Sequence, residues 1–377
     1  MLRLTSLCFL ILLSGCSGGH LTREAPTAPV QDEFGAYEFR SEALARHVRA
    51  FYQEGFHAQP RGNVTIIEQS DGLVVVDTGG SPTAASEVIG HIRENYRKSV
   101  KAVVFTHWHG DHVLGATAFV EAWPQVRIIA SPETARMLAD PASDQFMPGE
   151  DAAANQRLQV NIQAGVDYFA DRSDDAELTP REQAGFAHAS QELRRYGEEL
   201  QTARRIPPTE TFTTSLEIPD ATAPIEIHLF GRGNTEGDAV VWLPRQRIVM
   251  TGDLLVAPVP FGFNSYPQDW IATLQDIAAL EPAIIVPGHG RPMRDQVYLQ
   301  NIVAALQLAR AEAARVADNA AVTSENALQH FQFGTIENDF VGEDAWLRRW
   351  LRAYWSGPIA SSALREARGQ PIVQGTP

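Results

Sequence analysis

A short segment of the chain concentrates four side chains that could bind metal ions. Residues 106–112 read Thr-His-Trp-His-Gly-Asp-His. Imidazole nitrogens and carboxylate oxygens suit zinc, iron or manganese. If the segment starts extended, His107 and His109 project to the same side, because side chains alternate along a strand. A turn after them lets Asp111 and His112 point to a neighbouring position. The pattern therefore predicts a loop that offers ligands to two metal ions.

The elements that must position this loop are strands and helices in alternation. Val103, Val104 and Phe105, directly before the loop, are typical of a strand buried on both faces. Strands are predicted at 44–52, 63–69, 73–77, 103–105, 126–130, 212–218, 225–230, 240–243, 248–251 and 283–286, and helices at 83–96, 132–139, 270–280, 296–318, 345–355 and 359–368. The predicted fold class is α/β.

One long insertion interrupts this body at about 140–209, where no strand pattern is recognisable. Apolar residues recur there at helical spacing in two runs. The runs are Leu158, Ile162, Val166, Phe169 and Phe186, Ala189, Leu193, Tyr196, Leu200. Thr179 to Glu182 forms a capping box with proline at the first helical position. We expect a helical hairpin that serves as a lid, as structural packing or as a homodimer contact.

Composition excludes some classes of function. The 377 residues contain 31 Lys and Arg against 46 Asp and Glu, a formal net charge of −15. This acidity argues against a nucleic-acid partner, which requires a basic surface. The two cysteines, Cys8 and Cys16, lie near the N-terminus. The folded body therefore has neither a disulfide framework nor a cysteine-based zinc site.

The first 15 residues are predicted to be a secretory signal, because a basic start precedes a short apolar run. Leu13-Ser14-Gly15-Cys16 resembles a bacterial lipobox, which implies lipidation of Cys16 after cleavage before it. Residues 16–36 are predicted to be a flexible tether. We expect a protein anchored by lipid in the bacterial cell envelope and facing the periplasm, with Ser17 favouring the outer membrane. An ordinary cleaved signal is the alternative.

The metal motif resembles that of the metallo-β-lactamase-fold hydrolases, His-x-His-x-Asp-His, and the resemblance extends along most of the mature chain. Three further segments match the family pattern at strand ends. They are Asp77-Thr78-Gly79, Thr251-Gly252-Asp253 and Pro287-Gly288-His289-Gly290. The resemblance implies an αββα sandwich over residues 37–295 with its site at one edge. Residues 296–377 would form a helical C-terminal extension.

The resemblance also implies a ligand set for one or two zinc ions. By position, His107 and His109 would hold metal one, Asp111, His112 and His289 would hold metal two, and Asp253 would bridge them. Asp77 would support the metal loop from behind. The bridging aspartate is similar to that of the glyoxalase II-like and lactonase-like branches.

One position departs from the family pattern. Asn234 stands where the segment Gly-x-x-His-Thr-x-Gly-Asp has its histidine, the third ligand of metal one. An amide oxygen is a weaker and harder donor than imidazole. We therefore expect metal one to bind less tightly, to be iron or manganese, or to be lost. His228 is a poor substitute because it lies inside a predicted strand.

The expected function is hydrolysis of an ester, lactone, thioester or β-lactam in a small molecule. A water activated by metal would attack the carbonyl carbon, and Asp111 would orient that water and handle its proton. Pocket walls are expected from residues 256–267 and the inserted helices. The alternatives are a mononuclear-iron dioxygenase-like oxidoreductase and a metal-weakened binding protein. His47, His57, His91, His188 and His330 match no motif and are expected at the surface.

Overall fold

The computed structural model describes residues 34–140, 147–149, 151–334 and 336–374. The signal, Cys16, most of the tether and the start of the insertion lie outside these residues. Within the described ranges, no helix is long and apolar enough to cross a membrane.

Seven strands form the first sheet in the order β1 to β7. They are β1 (Arg40–Ala45), β2 (Val48–Tyr52), β3 (Val64–Glu68), β4 (Leu73–Val76), β5 (Val100–Val104), β6 (Arg127–Ala130) and β7 (Glu210–Thr211). Strands β1 to β4 pair antiparallel, and β4 to β7 pair parallel. The carboxyl ends of β4 and β5 therefore meet at one edge, where the motif begins.

A second sheet has five strands in the order β12-β11-β10-β9-β8. They are β8 (Ser215–Ile218), β9 (Ile225–His228), β10 (Val240–Leu243), β11 (Ile248–Met250) and β12 (Ile284–Val286). The pairs from β8 to β11 are antiparallel, and β12 runs parallel to β11. Strands β11 and β12 thus end together, where two more predicted ligands follow.

The two sheets pack face to face with helices outside. Val74 and Val76 belong to a buried apolar cluster that includes residues of both sheets. Leu73 and Val75, on the opposite face of β4, pack in a second cluster with helical residues such as Val88. This two-sided burial explains the continuous apolar run of β4. The expected αββα arrangement is confirmed.

Twelve helices accompany the described strands. They are α1 (Pro82–Asn95), α2 (Gly110–Val113), α3 (Ala116–Ala122), α4 (Pro132–Ala139), α5 (Ala152–Ser173), α6 (Pro180–Glu199), α7 (Pro267–Ala279), α8 (Val297–Val316), α9 (Ala327–His330), α10 (Asn338–Val341), α11 (Ala345–Leu351) and α12 (Gly357–Ala367). A π-helical turn, Arg352–Ser356, joins α11 to α12. The C-terminal region is helical, as the sequence predicts.

The inserted hairpin consists of α5 and α6, and the capping box at Thr179 is formed. The apolar stripes of both helices are buried. Phe186 packs on Trp346 of α11 with ring centroids 5.1 Å apart. The hairpin therefore joins the body to the C-terminal helices. Its roles as a lid or a dimer contact stay predictions.

Two strand predictions are wrong in detail. Residues 44–52 do not form one strand, because the chain reverses between β1 and β2 at His47, which has a φ of 73°. Of residues 212–218 only Ser215–Ile218 form a strand, β8 of the second sheet, because β7 of the first sheet ends at Thr211. Both turns consist of residues other than glycine, proline or asparagine, Arg46-His47 and Thr213-Thr214, so no turn signal marks them in the sequence.

Candidate metal centre

Asp77, which follows β4, holds the loop after β5 in place through hydrogen bonds. One oxygen of Asp77 accepts from the backbone N–H of Thr106 at 2.8 Å. The other accepts from the Thr106 hydroxyl at 2.8 Å and from Nδ1 of His112 at 2.9 Å. Asp77 is only 3% exposed, so this carboxylate anchors the loop within the core. The expected supporting role of Asp77 agrees with this placement.

The predicted histidine and aspartate ligands come together in two groups that share Asp253. One group contains Asp111, His112, Asp253 and His289, and the other contains His107, His109 and Asp253. Within each group the potential ligand atoms lie within 4.8 Å of one another. The division matches the sets expected for metal two and metal one.

The histidines of the first group have their outer nitrogens occupied. Nδ1 of His112 donates to Asp77, and Nδ1 of His289 donates to the carbonyl oxygen of Arg61 at 3.1 Å. Neutral imidazole has one N–H, so both Nε2 atoms then carry lone pairs. These two Nε2 atoms face each other at 3.1 Å. With both rings neutral, the two lone pairs converge on a position that suits a metal ion, and outer hydrogen bonds of this kind orient metal-bound histidines.

The second group shows the same arrangement at His107. Its Nδ1 lies 3.0 Å from the Thr106 hydroxyl oxygen, whose own proton is donated to Asp77. Nε2 of His107 is therefore free, and it faces Nδ1 of His109 at 3.0 Å. These residues also fit a metal ion.

Asp253 directs one oxygen to each group. Its Oδ1 lies 3.1 Å from Nε2 of His112 and 3.4 Å from Nε2 of His289, whereas Oδ2 lies 3.6 Å from Nε2 of His107. Among the described residues, Oδ1 has no hydrogen-bond partner. A side chain at Gly288 would bring Cβ within 2.0 Å of this oxygen, so glycine is required there. The placement is that of a bridging carboxylate.

The histidines and aspartates of the centre shift one another's pKa values. Burial raises the pKa of Asp111, but His112 and His289 outweigh it and bring the pKa to about 2. Burial lowers the pKa of His289, but Asp253 and Asp111 raise it to about 9. Burial and then His107 lower the pKa of His109 to about 3. A metal ion would therefore meet neutral His109 and would displace a proton from His289.

Asn234 is held in a tight loop between β9 and β10. Asp238 accepts from the backbone N–H and the hydroxyl of Thr235, both at 2.8 Å. Asn234 is fully buried, and its Nδ2 donates to the carbonyl oxygen of Phe261 at 3.0 Å. Its Oδ1 is buried with no hydrogen-bond partner in the described structure. An unpaired buried acceptor is costly, so this oxygen is available as a ligand.

An aromatic wall borders the His109 side. The ring of Phe261 lies 5.9 Å from that of His109 and 5.0 Å from that of Phe263. Tyr354 closes the wall at 6.0 Å from Phe261, and Trp108 lies 4.5 Å from His109. The 256–267 segment was predicted to line the pocket, whereas Tyr354, from the C-terminal helices, was missed. No local signal near Tyr354 indicates its contact with a loop that lies far away in the sequence.

His228 was predicted inside a strand, and five other histidines were predicted at the surface. His228 ends β9, lies 3.2 Å from Glu226 and stacks on Phe230, and it belongs to neither ligand group. For His57 the surface prediction is wrong, because its side chain is 2% exposed and paired with Glu192.

Residues 59–289 match the family model of the metallo-beta-lactamase superfamily. This chain belongs to that superfamily. The expected family is thereby confirmed over more than half of the chain, and all of the predicted ligands fall within or at the end of the matched residues.

Individual relatives within the superfamily are distant. A linear primary-alkylsulfatase of Pseudomonas sp. (strain ATCC 19151) is 25% identical over 250 residues, covering 63% of this chain and 43% of that protein. A metallo-beta-lactamase type 2 of Bacillus sp. (strain 170) is 22% identical over 235 residues, covering 61% of this chain and 66% of that protein. The chain thus spans less than half the length of the alkylsulfatase.

One solved structure also has the same fold. The stereoselective inverting sec-alkylsulfatase Pisa1 from Pseudomonas sp. superposes with a TM-score of 0.54 at 17% identity. The match covers 86% of this chain and 50% of that one. At this identity the likeness concerns the fold alone.

Proposed function

We propose that this superfamily member is a metal-dependent hydrolase, with zinc as the expected ion, that uses water as its nucleophile. The observation that carries the proposal is the position of Asp253, with one oxygen facing each group of ligand atoms. Such a centre would supply a Lewis acid and a water whose pKa is lowered toward neutrality.

Asp111 is the proposed group that orients the water and accepts its proton. Its Oδ2 lies 3.0 Å from Nε2 of His289, within the second ligand group. Asp111 is 19% exposed, whereas Asp253 is 3% exposed. The more open carboxylate is the one that a water or a substrate can reach.

The proposed substrate is a small ester, lactone, thioester or β-lactam with an apolar group. Phe261, Phe263 and Tyr354 offer that group an apolar surface beside His109. A sulfate ester is the second candidate, because the linear primary-alkylsulfatase matches 63% of this chain. Aromatic side chains contribute apolar area to either substrate and do not distinguish the reacting group.

Two other activities remain as alternatives from the sequence. A mononuclear-iron oxidoreductase would need a ligand at position 234 that suits iron, and an amide is a weak donor there. A binding protein without turnover would keep metal and substrate affinity and lose hydrolysis.

The test combines elemental analysis with a substrate panel. Purified protein lacking residues 1–33 is stripped with a chelator, reloaded with zinc, iron or manganese, and assayed on a carboxylic ester, a thioester, a lactone, a β-lactam and an alkyl sulfate. Hydrolysis that disappears on stripping and returns with zinc supports the proposal. Oxygen consumption with iron alone, or metal binding without any turnover, supports one of the alternatives.

We also propose anchoring of the protein to the cell envelope through lipid on Cys16. Attached acyl chains supply the membrane affinity. Membrane fractionation of the wild type and Cys16→Ala tests this proposal, and equal recovery of both in the soluble fraction contradicts it.

A further inference from the structure

A second buried cluster of metal-binding residue types lies apart from the centre described above. His188 and Glu192 are one turn apart on α6 of the inserted hairpin, and His57 comes from the loop after β2. Their potential ligand atoms lie within 4.8 Å of one another, the same proximity that the two ligand groups show. His57 and Glu192 are 2% and 3% exposed, and His188 is 22% exposed.

Both ring nitrogens of His57 lie beside oxygen atoms that accept hydrogen bonds. Nε2 of His57 lies 3.1 Å from the carbonyl oxygen of Glu54, which can only accept. Nδ1 contacts Oε1 of Glu192, which also accepts when the carboxylate is ionised. A neutral imidazole has a single N–H and can serve only one of the two. A proton or a metal ion must therefore lie on the Glu192 side.

A metal ion accounts for more of the cluster than a proton does. Nε2 of His188 lies 3.1 Å from the same Oε1 of Glu192 and yet makes no hydrogen bond within the described structure. Oε2 of Glu192 is buried and likewise has no partner there. A proton shared with His57 leaves both atoms unpaired, and a second proton on His188 would form an ion pair with Oε1 but still leave Oε2 of Glu192 buried without a partner. One cation could be shared by all of them.

We propose that His57, His188 and Glu192 form a separate transition-metal site with two imidazoles and one carboxylate. This ligand set suits zinc and leaves one position open to water. Two ligands one turn apart share a helix face, and the His57–Glu54 bond orients the ring as in other metal-bound histidines. The ring of Phe34 stacks on His188 at 5.4 Å and holds it in place.

The position of this site gives it a structural consequence. It would join α6 of the insertion to the loop that carries Arg61 and Gly62. The carbonyl oxygen of Arg61 accepts from His289, and the N–H of Gly62 donates to the carbonyl oxygen of Asp111 at 3.1 Å. A bound ion would therefore steady the backbone behind the centre that contains Asp253, without touching a substrate.

The experiment counts metal ions in matched variants. Wild type, His188→Gln, Glu192→Gln and the exposed control His330→Gln are stripped, loaded with zinc, freed of excess metal by gel filtration and analysed for zinc per chain. We expect His188→Gln and Glu192→Gln to hold one zinc ion fewer per chain than the wild type. His330→Gln should hold as many zinc ions as the wild type. His188→Gln is decisive if Glu192→Gln fails to fold, because His188 is the most exposed member.

A second readout separates this site from the other centre. Zinc should raise the melting temperature of the wild type more than that of His188→Gln. His289→Ala should lose the ion of the Asp253 centre and keep the ion bound by His57, His188 and Glu192. Equal zinc content in wild type and His188→Gln overturns the proposal and leaves a protonated His57–Glu192 pair. That result is independent of whether the protein hydrolyses any substrate.

Discussion

The two halves of the candidate centre differ in how firmly their side chains are held. On the metal-two side, Asp77 and the Arg61 carbonyl oxygen fix the outer nitrogens of His112 and His289. On the metal-one side only His107 has such a bond, to the Thr106 hydroxyl oxygen, whereas His109 lies against the aromatic wall and Asn234 stands where the superfamily pattern has histidine. The metal-two half therefore holds more of its ligands in place, and the metal-one half borders the aromatic wall to which we assign the proposed substrate.

This difference predicts unequal affinity for metal at the two sides. A ligand whose ring is already oriented loses little freedom on binding, and an imidazole is a better borderline donor than an amide. We therefore expect metal two to be the tighter ion. The following variants test that ranking.

The largest effect is expected for His289→Ala. It removes an imidazole from the better-held side and leaves Asp111 and Asp253 without one of the groups beside them. Metal two should be lost, and hydrolysis should fall by about 10²–10³-fold or more. Zinc content and kcat/KM are measured beside Asn234→Ala and the peripheral control His91→Ala. A greater loss of metal in Asn234→Ala than in His289→Ala contradicts the ranking.

A smaller effect is expected for Asp77→Asn. The amide keeps an acceptor for the backbone N–H of Thr106 but removes the negative charge beside His112. Zinc affinity should weaken by about 10–100-fold, the usual effect of losing such a supporting group. Competition with a zinc chelator measures the affinity.

Asp220→Asn is the matched control for that variant. Asp220 also accepts several hydrogen bonds, from Ser70, Thr222 and Ala223, but lies in an exposed turn. Its substitution should leave zinc affinity unchanged. Equal weakening in both variants would mean that loss of charge or of stability, and not support of His112, lowers the affinity.

The metal-two side was also the part that sequence reasoning predicted best. Asp111 and His112 are neighbours in the chain, and Asp77, Asp253 and His289 each follow a short apolar strand. Because parallel neighbours end at the same edge, strand-end residues from distant segments meet there. Local spacing predicted the loop that holds Asp111 and His112, and the resemblance to the superfamily pattern added Asp77, Asp253 and His289.

Contacts between distant segments without such a pattern were not predictable. His57 and Glu192 are 135 residues apart, and each looks like an isolated polar residue in its own segment. Tyr354 reaches Phe261 only because the C-terminal helices fold back over the body. Neither contact leaves a periodicity or a motif, since it arises from the packing of whole elements.

A third effect is expected at the boundary between metal one and the substrate. Phe261→Ala removes the ring beside His109 but keeps the carbonyl oxygen that accepts from Asn234. Burial of a phenylalanine side chain contributes roughly 1.5–3 kcal/mol, so KM for a substrate with a large apolar group should rise about tenfold or more. Steady-state kinetics should show a smaller change in kcat.

Phe340→Ala serves as the control for that kinetic effect. Phe340 packs edge-on against Tyr298 with ring centroids 5.6 Å apart and is not part of the aromatic wall. A similar rise in KM in both variants would indicate a general loss of packing. A fall of kcat alone in Phe261→Ala would mean that the ring positions His109 and does not meet substrate.

The smallest change in activity is expected for Asn234→His, which restores the superfamily ligand on the weaker side. Oδ1 of Asn234 is buried without a partner among the described residues, and its amide donates to Phe261, whose ring lies 5.9 Å from that of His109, so we expect a side chain at this position to face metal one. Imidazole is the better donor for zinc, and the affinity for a second zinc ion should therefore rise. Activity need not rise with it, because the variant loses the amide that donates to Phe261.

Zinc stoichiometry at limiting free metal decides this last prediction, with hydrolysis followed in parallel. Ions are counted in the His188→Gln background, which lacks the separate site proposed above. We expect partial occupancy of metal one with Asn234 and two ions with Asn234→His. A ratio that stays below two in both proteins would mean that residue 234 does not face the metals, and the two-metal interpretation of this side would fail. A ratio of two already with Asn234 would mean that the amide, or a water that it holds, is a sufficient ligand. In that case the difference between the halves lies in orientation by neighbouring groups and not in donor type.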